Sequence, residues 1–227
     1  MSLTAGRGPL SGKPAGRFTA PIPDGVAYLE PHPRRVRGFD AHGRAVVDSE
    51  RALLVHRSGH PPTYAFPAED VHGVPTSPEP DAPGYVHVRW DSVDAWYEEE
   101  ERLLGHPRNP YHRIDILRAS RHVRAAVSDE VLVDTTDTTV LCETGLPPRL
   151  YVRPELVRTE LLVRSPTTTF CPYKGTATYW TARLRNVEVP DVAWSYEEPL
   201  PESLPIAGLL SFDETRVTLD HDLPAGG

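Results

Sequence analysis

Cysteine is almost absent from this chain. Its 227 residues carry two, Cys142 and Cys171. Two thiols cannot build the disulfide framework of a small secreted domain. They also exclude a zinc site with four cysteine ligands in one chain. Long apolar runs are missing as well. No stretch has the length of a membrane-crossing helix, and no apolar run at the N-terminus resembles a secretory signal. The expected setting is therefore a soluble, cytoplasmic protein without a membrane partner. Basic charge is in deficit: 24 Lys and Arg stand against 32 Asp and Glu, a net charge of −8. Binding a phosphate backbone needs a basic footprint, so nucleic acid is not expected as a partner. The local clusters Arg34-Arg35-Val36-Arg37 and Arg113, Arg118, Arg121 and Arg124 read as strand arginines that face solvent or pair with the many carboxylates.

Proline and glycine are plentiful, at 25 and 16 residues. Proline removes a backbone donor and blocks helix interiors, so short strands joined by turns are expected rather than long helices. The length suits two domains of roughly 100 residues, and the chain repeats itself. From Asp48 to Val71 and from Asp134 to Val157 two segments run in parallel without a gap. They pair Gly59 with Gly145, Pro61-Pro62 with Pro147-Pro148, and Glu69 with Glu155. A unit this long in two copies means tandem domains rather than a solenoid. The expected organisation is an extended arm over residues 1–33, a first domain over 34–118 and a second over 121–220, related by an internal pseudo-twofold in a monomer. The end Pro224-Ala-Gly-Gly227 is expected to fray.

Alternation such as Val86-His87-Val88-Arg89-Trp90 predicts a half-buried strand. Asp91-Ser92 reads as the cap of one short helix through Glu101 to Leu104, with Val93, Trp96 and Leu103 at helical spacing. The carboxylate run Glu98 to Glu101 reads as its solvated face. The expected fold is mainly β: two small antiparallel β domains and one short helix.

The stretch with the most varied chemistry runs from Thr169 to Trp180: Phe170-Cys-Pro-Tyr-Lys-Gly175, then Tyr179-Trp180. Together with Ala193-Trp194-Ser195-Tyr196-Glu197-Glu198-Pro199 and Ile206-Ala207-Gly208 it resembles the signature of the DUF427 family, over roughly residues 122 to 220. That family carries the label nucleotidyltransferase-like and has no assigned function. It is similar to small all-β tent folds with strongly bent antiparallel sheets, several of which hold zinc. On this resemblance the second domain is a full copy. The first is a degenerate one, with Pro75, Pro78, Pro80, Pro83 and Gly84 where the second has its Cys-Pro-Tyr-Lys-Gly loop. The segment from Trp90 to Arg113, containing His106, Arg108 and Tyr111, resembles the part of two-copy members near the junction of the halves.

Cys171 has two readings, a thiolate activated by Lys174 three residues on, or a small buried residue beside a turn. Lys174 can hold an anion, form a Schiff base if desolvated, or extend past Tyr173 to the surface, where it would add little to stability; as a structural partner it would pair with Glu197 or Glu198. Strand alternation puts Tyr179 and Trp180 on opposite faces, so one of them belongs to the core. Trp194 and Tyr196 complete an aromatic wall. The ten histidines are scattered, and Pro and Gly break the spacings His56/His60 and His106/His112, so no metal site and no cofactor are expected. The functional expectation is a module that binds a compact anionic or aromatic small molecule. Its pocket is expected in the second domain at Cys171, Tyr173, Lys174, Tyr179 or Trp180, Trp194 and Tyr196, with His106, Arg108 and Tyr111 at its mouth. The alternative is an enzyme using Cys171 as nucleophile or redox centre, with Lys174 as activator.

Overall fold

A computed structural model describes residues 4, 6–21 and 25–224. Part of the expected N-terminal arm (1–3, 5 and 22–24) and part of the expected frayed end (225–227) lie outside the described residues. The chain divides into two compact units, Met1–His112 and Arg113–Gly227. Both are built of short strands in small antiparallel sheets, as the proline content requires.

In the first unit the strands are β1 (Ala27–Pro31), β2 (Val36–Phe39), β3 (Ala45–Ser49), β4 (Leu53–Arg57), β5 (Thr63–Pro67), β6 (Thr76–Pro78), β7 (Tyr85–Val88), β8 (Ala95–Glu98) and β9 (Glu101–Leu103). They form one sheet in the order β1-β4-β5-β7-β6 and another in the order β3-β2-β8-β9. Aliphatic and aromatic residues on the facing sides, Val36, Val47, Leu54, Tyr64, Phe66 and Trp96, make the core. Phe66 and Trp96 stack with ring centroids 5.9 Å apart.

The expected helix over 92–104 does not form. Trp90–Ser92 makes a single 3-10 turn, and the chain then runs as the hairpin β8–β9. Helical spacing of Val93, Trp96 and Leu103 competes here with pairing to β2, where Gly38 faces Trp96. Pairing wins because alternation on β8 turns both Trp96 and Glu98 inward. Glu98 is therefore buried rather than part of a solvated run. The hairpin turn puts Glu99 at φ 48°, in the left-handed region.

In the second unit the strands are β10 (Ile114–Ala119), β11 (Val123–Val127), β12 (Glu130–Thr135), β13 (Thr138–Glu143), β14 (Arg149–Tyr151), β15 (Leu162–Cys171), β16 (Gly175–Arg183), β17 (Glu188–Ser195), β18 (Leu210–Phe212) and β19 (Thr218–His221). The sheets run β10-β13-β14, β12-β11-β19 and β15-β16-β17-β18. A bridge from Val152 to Leu210 links the β14 side to β18. Pro166 lies inside β15, where the pairing with β16 shifts register between Arg164 and Thr168, as a residue without a ladder donor demands. The longest helical segment described is the 3-10 helix Pro201–Ile206. Among the described residues no helix is long and apolar enough to cross a membrane.

The two faces of β16–β17 serve two cores. One holds Val123, Leu132, Val192 and Phe212 with Trp180 against it. The other holds Leu141, Tyr151, Ala177, Tyr196 and Ile206.

Gly38 is the tightest spot in the first unit. A Cβ there would meet Val93 Cγ1 at 3.0 Å and Val47 Cβ and Trp96 Cζ3 at 3.3 Å. Gly38→Ala is expected to destabilise by about 1–3 kcal/mol through overpacking. Urea unfolding measures it, and an unchanged midpoint would mean that Val93 and Trp96 can move aside.

Candidate functional site

The Cys-Pro-Tyr-Lys-Gly motif is the hairpin that joins β15 to β16. Cys171 pairs with Gly175, and Pro172-Tyr173-Lys174 makes the turn. Gly175 sits at φ 93°, a backbone conformation that side chains rarely adopt, so the position favours glycine. The turn folds inward. Leu200 N donates to Lys174 O at 3.1 Å, and Tyr173 is 3 % exposed. Lys174 is itself only 8 % exposed, and its ammonium donates to the Glu143 carboxylate at the end of β13. Its partner is thus neither Glu197, which accepts from Arg164, nor Glu198. The charge that the sequence offers to an anion is balanced inside the fold.

Around this turn the second core collects aromatic side chains. Cys171, Tyr179 and Trp194 pack against Tyr151 and Tyr196. Trp194 Nε1 donates to Tyr151 Oη at 3.1 Å with the rings edge to face. Tyr179 Oη meets Thr169 Oγ1 at 2.9 Å. Burial raises the phenol pKa of Tyr151 and of Tyr196. Cys171, Tyr179, Trp194 and Tyr196 therefore share one face. Trp180 lies on the other, packed into the first core with its Nε1 donating to Ser195 Oγ at 3.4 Å. Residues 115–222, which hold all of this, match the family model of a domain of unknown function, DUF427.

The second unit is a DUF427 domain. No curated protein matches the chain. The DUF427 domain has a cavity of about 140 Å³ at Pro147, Pro148, Arg149, Ser211, Phe212 and Leu219, away from the Cys171 hairpin.

The first unit, outside the matched residues, holds a cavity of about 580 Å³. Its wall is apolar: Val55, Pro61, Pro62, Val88, Trp90 and Trp96. Trp90 and Trp96 stack at 5.2 Å and 18°. Every titratable side chain on the wall other than Tyr64 is basic: Arg57, His60, His87, Arg89 and His106. Behind Arg57 and His87 sits Glu79, whose side chain is fully buried. Arg57 Nη2 donates to Glu79 at 2.5 Å and to Asp81 at 3.0 Å. His87 bonds Glu79 through Nε2 and Tyr64 O, at 2.8 Å, through Nδ1. Burial works to raise the Glu79 pKa, but bonds from Arg57, the Asp81 amide and His87 outweigh it and hold it at about 2.

His106 is the one expected site residue on this cavity. Its Nδ1 donates to Pro107 O at 2.7 Å, and burial lowers its pKa. Tyr111 lies elsewhere in the unit. Its Oη donates to Glu30 at 2.9 Å, and its ring meets Tyr28 and His56. Hydrogen bonding to Tyr28 and Glu30 raises its pKa. Arg108 is half-buried in the same unit. Sequence reading missed Arg57, Tyr64 and His87 as cavity residues. Their signal was strand alternation beside the Gly59-His60-Pro61-Pro62 turn. Among the described residues no three His, Cys, Asp or Glu side chains gather as a metal site.

Two tests follow from these buried charges. Lys174→Met leaves Glu143 buried without its cation and is expected to destabilise the DUF427 domain by about 3–5 kcal/mol, with Glu143→Gln restoring part of the loss in the double variant. Thermal unfolding of the four proteins reads it, and a midpoint for Lys174→Met near wild type would place the amine at the surface. Glu98, like Glu79, is held at about 2 against an ordinary 4.5, because bonds from His32, Tyr64 and Arg34 outweigh its burial. A depressed carboxylate stabilises the fold above its unfolded pKa. The first unit is therefore expected to lose stability as pH falls from about 4.5 through about 2, and Glu79→Gln to flatten that slope. Unfolding free energies measured across this range decide it.

Proposed function

We propose that the protein is a small-ligand binding module made of two DUF427-type copies, of which the first is degenerate and keeps an apolar-walled cavity of about 580 Å³. The observation that carries the reading is that cavity. Its volume falls within the ordinary range for ligand pockets, and its wall joins a broad apolar surface to a few convergent polar groups. The tandem reading is supported by strand order. β2 lies between β3 and β8 as β11 lies between β12 and β19, and β1-β4-β5 parallels β10-β13-β14. The repeated Gly-Pro-Pro turn lines a cavity in each unit, at Pro61-Pro62 and at Pro147-Pro148. In this reading the protein works as a cytoplasmic monomer. Its acidic balance keeps it off nucleic acid.

The face shared by Cys171, Tyr179, Trp194 and Tyr196 is the second place for a ligand. The enzyme reading needs Lys174 to activate Cys171, and the bond from Lys174 to Glu143 draws the amine away from that role.

Native mass spectrometry of the purified protein, after incubation with a metabolite extract, is expected to reveal a small-molecule adduct. Val88→Trp, which fills the first-unit cavity, should remove it. An adduct that survives Val88→Trp and disappears when Cys171 is replaced by Ala would move the site to the DUF427 domain.

A further inference from the structure

We propose that the first-unit cavity takes a planar aromatic monocarboxylate, its ring against Trp90 and its carboxylate at Arg57. This rests on the reading that the cavity is a ligand site and adds the chemistry of the ligand. Three observations lead there. Firstly, the apolar part of the wall is aromatic and pre-arranged. Trp96 is 3 % exposed and its Nε1 already donates to Trp90 O at 3.0 Å. Its indole donor is thus used within the protein and its ring stacks on Phe66 and Trp90, so the ring surface offered to a ligand is that of the half-buried Trp90, which favours a flat partner.

Secondly, the wall carries no carboxylate. Arg57, His60, His87, Arg89 and His106 are its ionisable groups besides Tyr64, and the acids of the region, Glu79 and Asp81, stand behind Arg57 rather than on the wall. An anionic group meets no like charge there, whereas a cationic one would face only basic side chains.

Thirdly, Arg57 is fixed with part of its donor set in reserve. Both of its ion pairs use Nη2. Among the described residues Nε and Nη1 make no bond. Held on one edge by two acids, the guanidinium keeps Nε–H and Nη1–H as separate charged donors, each able to reach one carboxylate oxygen, with little ordering left to do on binding. The charge count selects a monoanion. Arg57 is already paired with Glu79 and Asp81, and Arg89 with Asp91. Both permanent cations of the wall thus stand beside acids, which repel a second negative charge on a ligand more than they repel the first, and disfavour a phosphate dianion.

The test is calorimetric titration of the full chain with three probes of one ring system: 2-naphthoate, 2-naphthalenemethanol and 2-naphthyl phosphate. 2-Naphthoate is expected to bind tightest, by roughly tenfold or more over the alcohol, the worth of one charge-assisted hydrogen-bonded contact. Arg57→Lys should erase that preference while the alcohol binds as before. Should this variant fail to fold, Trp90→Ala serves in its place: it keeps the backbone carbonyl that Trp96 uses and should weaken all three probes alike. Equal binding of acid and alcohol, tighter binding of the phosphate, or no binding of any probe would each overturn the assignment. The underlying reading fails separately, when the adduct seen by mass spectrometry is untouched by Val88→Trp.

Discussion

The carboxylate of Glu98 is the joint of the first unit. It stands at the end of β8, in the sheet β3-β2-β8-β9, and accepts bonds from Tyr64 on β5 of the other sheet and from Arg34, with His32 Nε2 at 3.0 Å. Two small sheets that share an apolar core are also pinned by one buried charge. Such a pin is worth little as net stability, because desolvation offsets attraction, but removing a partner leaves a charge stranded and so enforces one arrangement. The cavity depends on it. Trp96 lies two residues before Glu98 on the same face, and Tyr64 lines the cavity while bonding the carboxylate. The joint sets the place of both.

Buried carboxylates recur as the means by which this proline-rich chain holds its pieces. Glu79 fixes Arg57 and His87 behind the cavity, and Glu143 fixes the Lys174 turn in the DUF427 domain. On the proposed tandem alignment Arg57 falls at the position of Glu143. The two units would then place opposite charges at one strand position and satisfy them differently, an acid loop reaching Arg57 in one and a lysine hairpin reaching Glu143 in the other. That difference fits the loss of the long β15–β16 hairpin from the first unit, where only three short residues of β6 stand beside β7.

Much of the fold was legible. Alternation over Val86-His87-Val88-Arg89-Trp90 marked β7 within two residues, because an exposed face and a buried face leave a period of two in the sequence. β8 was misread as helix because Val93, Trp96 and Leu103 stand at helical spacing, and only pairing with the partner strand β2 overrules it. In β15 the alternation is broken at Ser165-Pro166-Thr167, and a bulge that tolerates proline is visible only once the neighbouring strand is in place.

The residues alone determined a β protein of short strands, a DUF427 domain in its second half, and opposite faces for Tyr179 and Trp180. These follow from backbone chemistry and from local spacing, which a chain carries with it. The tertiary structure decided where charge and space go. Lys174 meets Glu143 across 31 positions of chain, and Tyr64 meets Glu98 across 34. No local rule selects such partners. The cavity likewise comes from strands whose side chains converge only after the sheets have paired, so its wall has no signature in the order of the residues.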